Sequence, residues 1–204
     1  MIRFITGTDT GVGKTVVSGE LARRALADGL SVRYVKPVQT GLAPGEAGGD
    51  ADFVGAAAGI EAIELERFAE PLAPAVAAEL AGRSIDLADL ARRVIECTKN
   101  VDLLLVEGAG GLLVPLTNDA TMADFAKAIG SELVVVVRPG LGTLNHTALT
   151  LEAAAARGLD VAVVVVSGYP SDPGRTERTN LERLRALGPP VEIVGFLAGA
   201  STPG

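Results

Sequence analysis

Residues 7–15 read GTDTGVGKT, a glycine-rich stretch between an apolar segment and a segment with helical spacing. Glycines in this setting let successive backbone amides face an anion, and the N-terminus of the following helix adds positive potential. Lys14 supplies a full positive charge for phosphate groups, and Thr15 supplies a hydroxyl for Mg²⁺, a cation that prefers oxygen ligands. The stretch departs from the common pattern G-x-x-x-x-G-K-[ST], because Thr8 occupies the position of the first glycine. It still predicts a strand, a phosphate-binding loop and a helix in that order.

The rest of the sequence favours an α/β fold, because apolar runs rich in β-branched residues alternate with segments of helical spacing. Strands are predicted over residues 2–6, 32–35, 101–106, 133–137, 161–166 and 191–197. Helices are predicted over residues 14–27, 50–58, 74–81, 87–97, 122–129, 145–157 and 175–187. Strands that are buried on both faces and joined by crossover helices predict a doubly wound, mostly parallel sheet of about seven strands with helices on both faces.

Length and composition limit the classes of protein to which the chain can belong. The 204 residues are 48% hydrophobic and no linker divides them, so we expect a single domain over residues 1–204, with residues 41–49 as a mobile active-site loop. A net charge of -7 without a basic run disfavours nucleic-acid binding. The apolar runs are far shorter than the roughly 20 residues that cross a bilayer. No signal-peptide pattern follows Met1, so we expect a cytoplasmic protein without membrane contact.

Lys36 is a candidate for a second positive charge at the site, because ligands of such sheets bind at the carboxyl ends of the strands. It follows the second predicted strand in the motif KPVQTG, and Pro37 biases it toward an extended backbone. A solvated lysine at a strand end is an equally good interpretation of its position alone. Thr40, in the same motif, offers its hydroxyl to a ligand or caps the turn.

Acidic residues provide candidate metal ligands. Glu107 ends an apolar run and precedes the sequence GAGG, whose glycines allow close approach of a ligand. Asp50 and Asp52 lie at the start of a predicted helix, where an aspartate more often caps the helix than binds a ligand. A nucleoside triphosphate normally arrives with Mg²⁺, so we predict a metal site formed by Thr15, Glu107 and one of the two aspartates.

The sequence GTLNHT, residues 142–147, follows the fourth predicted strand and contains the single histidine of the chain, His146. One histidine does not define a metal site, and a packed or interface role is more frequent than a role as a direct ligand. The backbone amides at the start of the following helix are a candidate site for an anionic group.

The motifs GTDTGVGKT, KPVQTG, VEGAGGLLVPL and LGTLNHT, in this order, resemble the dethiobiotin synthetase family over nearly the whole chain. Members of this family are ligases of biotin biosynthesis that use ATP and Mg²⁺. They convert 7,8-diaminopelargonate and CO₂, supplied from bicarbonate, into dethiobiotin through a carbamate and a carbamic-phosphoric anhydride. The resemblance implies the same activity for this chain, in a homodimer whose substrate site lies at the subunit interface.

The resemblance also implies roles for individual residues. Lys14 and Lys36 are the expected catalytic residues, and Lys36 would neutralise the carbamate and the transferring phosphoryl group. The expected metal ligands are Thr15, Asp50 and Glu107. The expected nucleotide-binding residues are Thr10, Gly11, Val12, Gly13, Lys14, Thr15, Val16, Glu107, Gly168 and Ala198. The expected substrate-binding residues are Thr10, Lys36, Thr40, Gly110, Gly111, Gly142, Thr143, Leu144 and Asn145, the last four of which would act from across the interface.

Gly168 departs from the family pattern. The family often has an asparagine after the fifth strand that hydrogen-bonds to the edge of adenine, whereas this chain has the sequence Ser167-Gly168-Tyr169. An amide that pairs with both a donor and an acceptor of adenine is missing. We therefore predict weak selectivity for the base, so that CTP or GTP partly replaces ATP.

Two other classes of protein share parts of this pattern. The main alternative is a nucleotide-driven switch related to the partitioning and septum-positioning ATPases, which usually carry a lysine early in the loop, in a K-G-G-x-G-K pattern. Residues 9–14 of this chain read DTGVGK without that lysine, and the acidic chain shows neither a basic surface nor an amphipathic tail. The second alternative is a related amidoligase, but such enzymes usually carry an added glutaminase-like domain, for which 204 residues leave no room.

Overall fold

Seven parallel strands form one sheet in the computed structural model, which describes residues 1–195. The strands are β1 (Ile2–Gly7), β2 (Val32–Thr40), β3 (Glu61–Phe68), β4 (Leu103–Gly111), β5 (Glu132–Val137), β6 (Val161–Tyr169) and β7 (Val191–Gly195). The helices are α1 (Lys14–Ala27), α2 (Asp50–Ala58), α3 (Pro74–Leu80), α4 (Leu87–Glu96), α5 (Met122–Ala128), α6 (Thr143–Ala156) and α7 (Arg175–Arg185). The strand order is β3-β2-β4-β1-β5-β6-β7, which confirms the predicted doubly wound α/β fold.

Apolar side chains cover both faces of the sheet because neighbouring residues of a strand point to opposite sides. On one face, strand residues such as Ile5 pack with Val17 of α1 and Val54 of α2. On the other face, Phe4 packs edge-to-face against Phe125 of α5 with ring centroids 6.1 Å apart, and α3, α4, α6 and α7 complete this core. The two faces explain why the central strands are largely apolar on both sides, as in the run Leu133–Val137 of β5.

Strand β3 lies at the edge of the sheet, and its position was not predicted from the sequence. It reads EAIELERF, in which charged residues interrupt the apolar ones. Glutamate is unfavourable in most strands, but charged side chains are common on edge strands, where they discourage pairing with other chains. The strand that the sequence did not predict is therefore the one whose apolar pattern is interrupted most by charged residues.

Strand β2 runs beyond the end predicted for it. It pairs with β4 over Val32–Val35, and its register with β3 continues through Lys36 and Val38 to Thr40. The expectation that the strand ends before Lys36 is therefore wrong, because Pro37 is accommodated inside the strand next to the edge of the sheet. Strands β4 and β6 also continue past their predicted ends, to Gly111 and Tyr169.

The two ends of the sheet differ in what surrounds them. At the carboxyl end lie the glycine-rich loop after β1, the last residues of β2 and β4, and the start of α6. At the amino end, a groove of about 700 Å³ lies between α1 and the strands and is lined largely by aliphatic side chains such as Leu21, Leu103 and Val163. Within the described residues, no helix has the length and hydropathy needed to cross a membrane.

Candidate active site

The loop between β1 and α1 is shaped by glycines and anchored by its neighbours. Gly11 and Gly13 have φ angles of 69° and 95°, which residues with side chains rarely adopt. A Cβ at Gly13 would also collide with Oγ of Ser167, near the end of β6. Asp9 accepts hydrogen bonds from the amide of Thr10, at 2.7 Å, and from Arg138, at 3.0 Å. The loop is therefore held against the ends of β5 and β6.

Lys14 begins α1 and lies under this loop rather than in solvent. Its Nζ donates a hydrogen bond to the carbonyl oxygen of Asp9 at 3.3 Å. Burial lowers the pKa of Lys14 below its ordinary value, although the nearby carboxylate of Glu107 acts in the opposite direction. An anion bound by the loop would supply the negative charge that this buried ammonium lacks.

Lys36 is the cation of a buried ionic cluster. Its Nζ lies 2.5 Å from Oδ2 of Asp50 and 3.2 Å from Oε1 of Glu107. Lys36 is 4% exposed and Glu107 is 1% exposed, so the interpretation of Lys36 as a solvated lysine is wrong. Burial alone would lower the pKa of Lys36, but the two carboxylates outweigh it and raise this pKa above the ordinary value. Lys36 is thus held as a cation.

Thr15 connects the two carboxylates of this cluster. Its Oγ1 lies 2.9 Å from Oδ1 of Asp50 and 3.0 Å from Oε1 of Glu107. Burial works to raise the pKa of Asp50, but Lys36 and the hydroxyl of Thr15 lower it below the ordinary value. The three predicted metal ligands therefore present their oxygen atoms to one small region, and such an oxygen set suits Mg²⁺.

The described residues contain no group of three or more His, Cys, Asp or Glu side chains that could hold a metal ion by itself. A cation here would consequently depend on the Thr15 hydroxyl and on oxygens from outside the protein, such as phosphate oxygens.

The two aspartates of α2 have different roles. The carboxylate of Asp52 accepts hydrogen bonds from the amides of Gly48 and Gly49 and so stabilises the start of the helix. Asp50 instead directs its carboxylate into the ionic cluster, while its own amide donates to Oε1 of Gln39 at 3.1 Å. Of the two candidates from the sequence, only Asp50 reaches Thr15 and Lys36 in the described structure.

Two buried hydroxyls at the site were not identified from the sequence. Oγ of Ser18 lies 2.7 Å from Oε2 of Glu107, and the hydroxyl of Tyr34 lies 3.1 Å from the same oxygen. Burial and the charge of Glu107 raise the pKa of Tyr34 well above its ordinary value. Spacing was the available signal, because Ser18 follows Lys14 by one helical turn and Tyr34 precedes Lys36 by two strand residues.

A cleft of about 440 Å³ lies between the glycine-rich loop, the end of β4 and α6. Among the predicted substrate-binding residues, Thr10 and Gly111 line this cleft. Gly110 is adjacent, with a φ angle of 63°, and a Cβ there would lie 2.9 Å from Cγ2 of Val114 and 3.4 Å from Oγ1 of Thr10. His146 also lines the cleft and is exposed, so it is not packed in the core of its own chain.

The remaining predicted site residues lie elsewhere. Gly11, Val12, Gly13 and Val16 belong to the loop and the first turn of α1. Gly142, Thr143, Leu144 and Asn145 cap and begin α6 but do not line the cleft of their own chain, and neither does Thr40. Gly168 follows Ser167 near the end of β6, with a φ angle of 68°. Ala198 lies outside the described residues.

A protein-family model described as an AAA domain matches residues 3–198 of this chain. Several proteins with the name ATP-dependent dethiobiotin synthetase BioD are also similar. The protein of Frankia casuarinae is 50% identical over 90% of this chain and 78% of its own length. Those of Rhodococcus jostii and Mycobacterium avium are 45% and 48% identical, over 98% and 92% of this chain and 87% and 84% of their own lengths.

Solved structures of FtsY proteins share the fold. Chloroplast FtsY from Physcomitrella patens has a TM-score of 0.58 at 20% identity, over 93% of this chain and 56% of that chain. FtsY from Thermotoga maritima has a TM-score of 0.58 at 15% identity, over 96% of this chain and 62% of that chain. Identity this low supports a common architecture and nothing about activity.

Proposed function

This chain belongs to the family of ATP-dependent dethiobiotin synthetases, and we propose that its buried cluster of Lys36, Asp50 and Glu107 serves the ring closure that this family performs. The chain is a ligase of biotin biosynthesis that forms C–N bonds. It converts 7,8-diaminopelargonate, CO₂ and a nucleoside triphosphate into dethiobiotin, nucleoside diphosphate and phosphate. The observation that carries the proposal is a buried ionic cluster beside a phosphate loop, in a chain about half identical to enzymes of this name.

The reaction forms negative charge, brings it against the nucleotide phosphates and finally releases it as phosphate. One amine of the substrate attacks CO₂ and loses a proton, which gives a carbamate. A carbamate oxygen then attacks the γ-phosphorus of the nucleotide and breaks its bond to the diphosphate. The second amine attacks the carbonyl carbon of the resulting anhydride, loses a proton, expels phosphate and closes the ring. Catalysis of such steps depends mainly on positioning and on neutralisation of charge.

We assign the two lysines to these charges. Lys14, which begins α1 under the phosphate loop, would contact the nucleotide phosphates. Lys36, which the cluster holds as a cation, would neutralise the carbamate and the phosphoryl group in transfer. A protonated lysine is unsuited to remove the proton from the amine, so Lys36 acts through charge and not as a general base.

We propose that Thr15, Asp50 and Glu107 hold Mg²⁺ together with phosphate oxygens. Oδ1 of Asp50 and Oε1 of Glu107 lie 2.9 and 3.0 Å from the hydroxyl oxygen of Thr15. Hydroxyl and carboxylate oxygens are the ligands that this cation prefers. When bound, Mg²⁺ would neutralise negative charge on the phosphates and fix their orientation. The nucleotide-binding set in this proposal is Thr10, Gly11, Val12, Gly13, Lys14, Thr15, Val16, Glu107, Gly168 and Ala198.

The substrate would lie in the cleft beside the phosphate loop, between Thr10 and the backbone of Gly110 and Gly111. We propose that a second copy of the chain closes this cleft and contributes residues 142–145, with Thr40 contacting the substrate from the end of β2. Three leucines around the cleft and α6 support this arrangement, because such exposed apolar side chains are typical of interfaces. Leu113, Leu141 and Leu149 are 47%, 86% and 56% exposed.

We further propose that residues 1–204 act as one catalytic domain in the cytoplasm. The single sheet formed by the described residues supports one domain, and the cytoplasm supplies the nucleotide that the reaction consumes.

We propose weak selectivity for the nucleotide base. Gly168 has no side chain to pair with a base, and Ser167 beside it packs against Gly13 of the phosphate loop. We expect CTP and GTP to replace ATP in part, as measured by kcat/KM for each nucleotide. A preference for ATP above about a hundredfold would contradict this proposal, since that ratio requires a polar group dedicated to the base.

The deciding experiment is an incubation of the protein with 7,8-diaminopelargonate, bicarbonate, Mg²⁺ and each nucleotide, followed by mass analysis for dethiobiotin. We expect dethiobiotin and phosphate in equal amounts, and no phosphate release without the diamine. Phosphate release that ignores the diamine would instead favour the nucleotide-driven switch.

A further inference from the structure

The two carboxylate oxygens of Glu107 have different surroundings. Oε1 faces the reactive side of the site, where it lies 3.0 Å from the hydroxyl of Thr15 and 3.2 Å from Nζ of Lys36. Oε2 faces the protein interior, where it accepts from the hydroxyls of Ser18 and Tyr34 at 2.7 and 3.1 Å. The carboxylate is thus divided between one oxygen available to ligands and one oxygen fixed by neutral donors.

The two hydroxyl donors to Oε2 are not equivalent. Each hydroxyl has a single hydrogen to donate. Oγ of Ser18 lies 3.0 Å from the carbonyl oxygen of Lys14 as well as 2.7 Å from Glu107, so its hydrogen has two acceptors within reach. The hydroxyl of Tyr34 donates to Glu107. Tyr34 is therefore the donor committed to the carboxylate.

Burial strengthens this arrangement. Tyr34, Ser18 and Glu107 are all removed from solvent, so water is not positioned to replace a lost donor. The ring of Tyr34 packs in the core under α1 and α2, and it holds the hydroxyl in place because the ring has little freedom to rotate away. Phenylalanine would fill the same space without the hydroxyl, so the polar contact can be removed separately from the packing.

We propose that Tyr34 is a positioning residue which, together with Ser18, fixes Oε2 of Glu107 and so presents Oε1 alone to Mg²⁺ and Lys36. The proposal rests on the proposed role of Glu107 in holding Mg²⁺. Outer partners of this kind orient the ligands of a metal, and their loss weakens metal binding without removing a ligand.

The test measures binding rather than turnover. The affinity for ADP is determined by calorimetry with Mg²⁺ and with a chelator, and the ratio of the two affinities reports the contribution of Mg²⁺. In Tyr34→Phe we expect this ratio to fall about tenfold, the lower end of what the loss of an outer partner costs. The affinity without Mg²⁺ should stay unchanged. Ser18→Ala removes the other donor to the same oxygen and should lower the ratio in the same direction.

Two further variants separate the outcomes. Ser131→Ala removes a buried hydroxyl that donates to the carbonyl oxygen of Ala126 at 2.9 Å, at the other end of the sheet, and it should lower the unfolding temperature without changing the ratio. If Tyr34→Phe behaves like Ser131→Ala, Tyr34 is only a core residue and the inference is overturned. If Glu107→Gln lowers the ratio and neither hydroxyl variant does, the metal site stands and the inference fails. If Glu107→Gln leaves the ratio unchanged, the proposed metal role of Glu107 fails instead.

Discussion

The carboxyl and amino ends of the sheet carry their charges in different environments. At the carboxyl end, Lys36 and Glu107 are almost completely buried and lie 3.2 Å apart. At the amino end, Arg33 and Glu61 lie 2.7 Å apart, but the side chain of Glu61 is 59% exposed. The amino end also has the larger cavity, about 700 Å³ against 440 Å³ for the cleft beside the phosphate loop. Cavity size therefore favours the amino end as the place of a functional site, whereas buried charge favours the carboxyl end.

Electrostatics decides between these indications. Removing a charge from water costs several kcal/mol, and a buried ion pair seldom recovers all of it, whereas exposed pairs contribute roughly 0–1 kcal/mol at little cost. A chain selected for stability alone would gain little from burying Lys36 and Glu107 beside a partly buried Asp50. Lys36, Asp50 and Glu107 line neither cavity, but the smaller cleft lies with them at the carboxyl end of the sheet, so this cleft is the better candidate for chemistry.

The largest expected effect is on catalysis, from the variant Lys36→Met. Loss of a preorganised charge that stabilises a transition state typically lowers the rate by two to three orders of magnitude, so we expect kcat/KM for dethiobiotin formation to fall about a thousandfold. Glu61→Gln, its counterpart at the amino end, should keep wild-type activity. If Lys36→Met and Glu61→Gln had equal activity, the proposal that only the carboxyl end of the sheet serves catalysis would be wrong.

The second prediction concerns stability. Lys36→Met leaves the buried carboxylate of Glu107 and the partly buried carboxylate of Asp50 without their cation, so we expect the free energy of unfolding in urea to fall by about 3 kcal/mol. In the triple variant Lys36→Met, Asp50→Asn, Glu107→Gln the buried charges are gone, and most of this loss should be recovered while activity stays absent. A triple variant less stable than Lys36→Met would mean that the cluster stabilises the fold in its own right.

The third prediction concerns the exposed pair at the amino end. In Glu61→Gln the free energy of unfolding should change by less than about 1 kcal/mol, because solvent screens the pair. Urea unfolding at low and high salt provides the measurement. A loss of stability as large as that in Lys36→Met would show that the exposed pair contributes as much to folding as the buried cluster does.

The smallest expected effect is a pH dependence at Asp102, which is fully exposed at the amino end. The hydroxyl and amide of Ser31 donate to its carboxylate and lower the pKa of Asp102 below its ordinary value. A carboxyl group with a lowered folded pKa adds stability above its unfolded pKa of about 3.9 and loses it as the pH falls through the folded value. Ser31→Ala should therefore be slightly less stable than wild type at pH 7.

Urea unfolding at several pH values checks this prediction. The difference between Ser31→Ala and wild type should narrow in acid, once Asp102 is protonated in both proteins. A difference that widens as the pH falls would contradict the assigned cause.

Local signals in the sequence were sufficient for much of the fold. Helices α1 and α2 begin and end where predicted, because a glycine-rich loop precedes each helix and a glycine with positive φ, Gly29 or Gly59, follows it. The edge strand β3 and the extension of β2 past Pro37 were not predicted, since the pairing between these two strands compensates for charged residues and for a proline. Strand propensity is a property of one segment, and pairing with a neighbouring strand can form a strand where the propensity of the segment is low.

The candidate site was predictable to the extent that it consists of motifs. Lys14 stands out in the glycine-rich motif, Lys36 and Glu107 stand out after apolar runs, and the structure brings the three charges close together. Ser18 and Tyr34 lie within a regular helix and strand, 89 and 73 residues from Glu107 in the sequence. Spacing from Lys14 and Lys36 places both residues on the same sides of their elements as the lysines, but only the packing of the sheet brings their hydroxyls to Glu107.

The joint extension of β2 and β3 also determines where this chain can change in length. Lys36 and Thr40 are in register with Glu64 and Phe68 of β3, and one residue inserted between them would turn Gln39 away from the amide of Asp50. Gly45 lies a few residues later, at an exposed position with open space around it. Insertions beside Gly45 should be tolerated, whereas an insertion between Lys36 and Thr40 should abolish activity. Variation in length among related chains is therefore expected only after the end of β2.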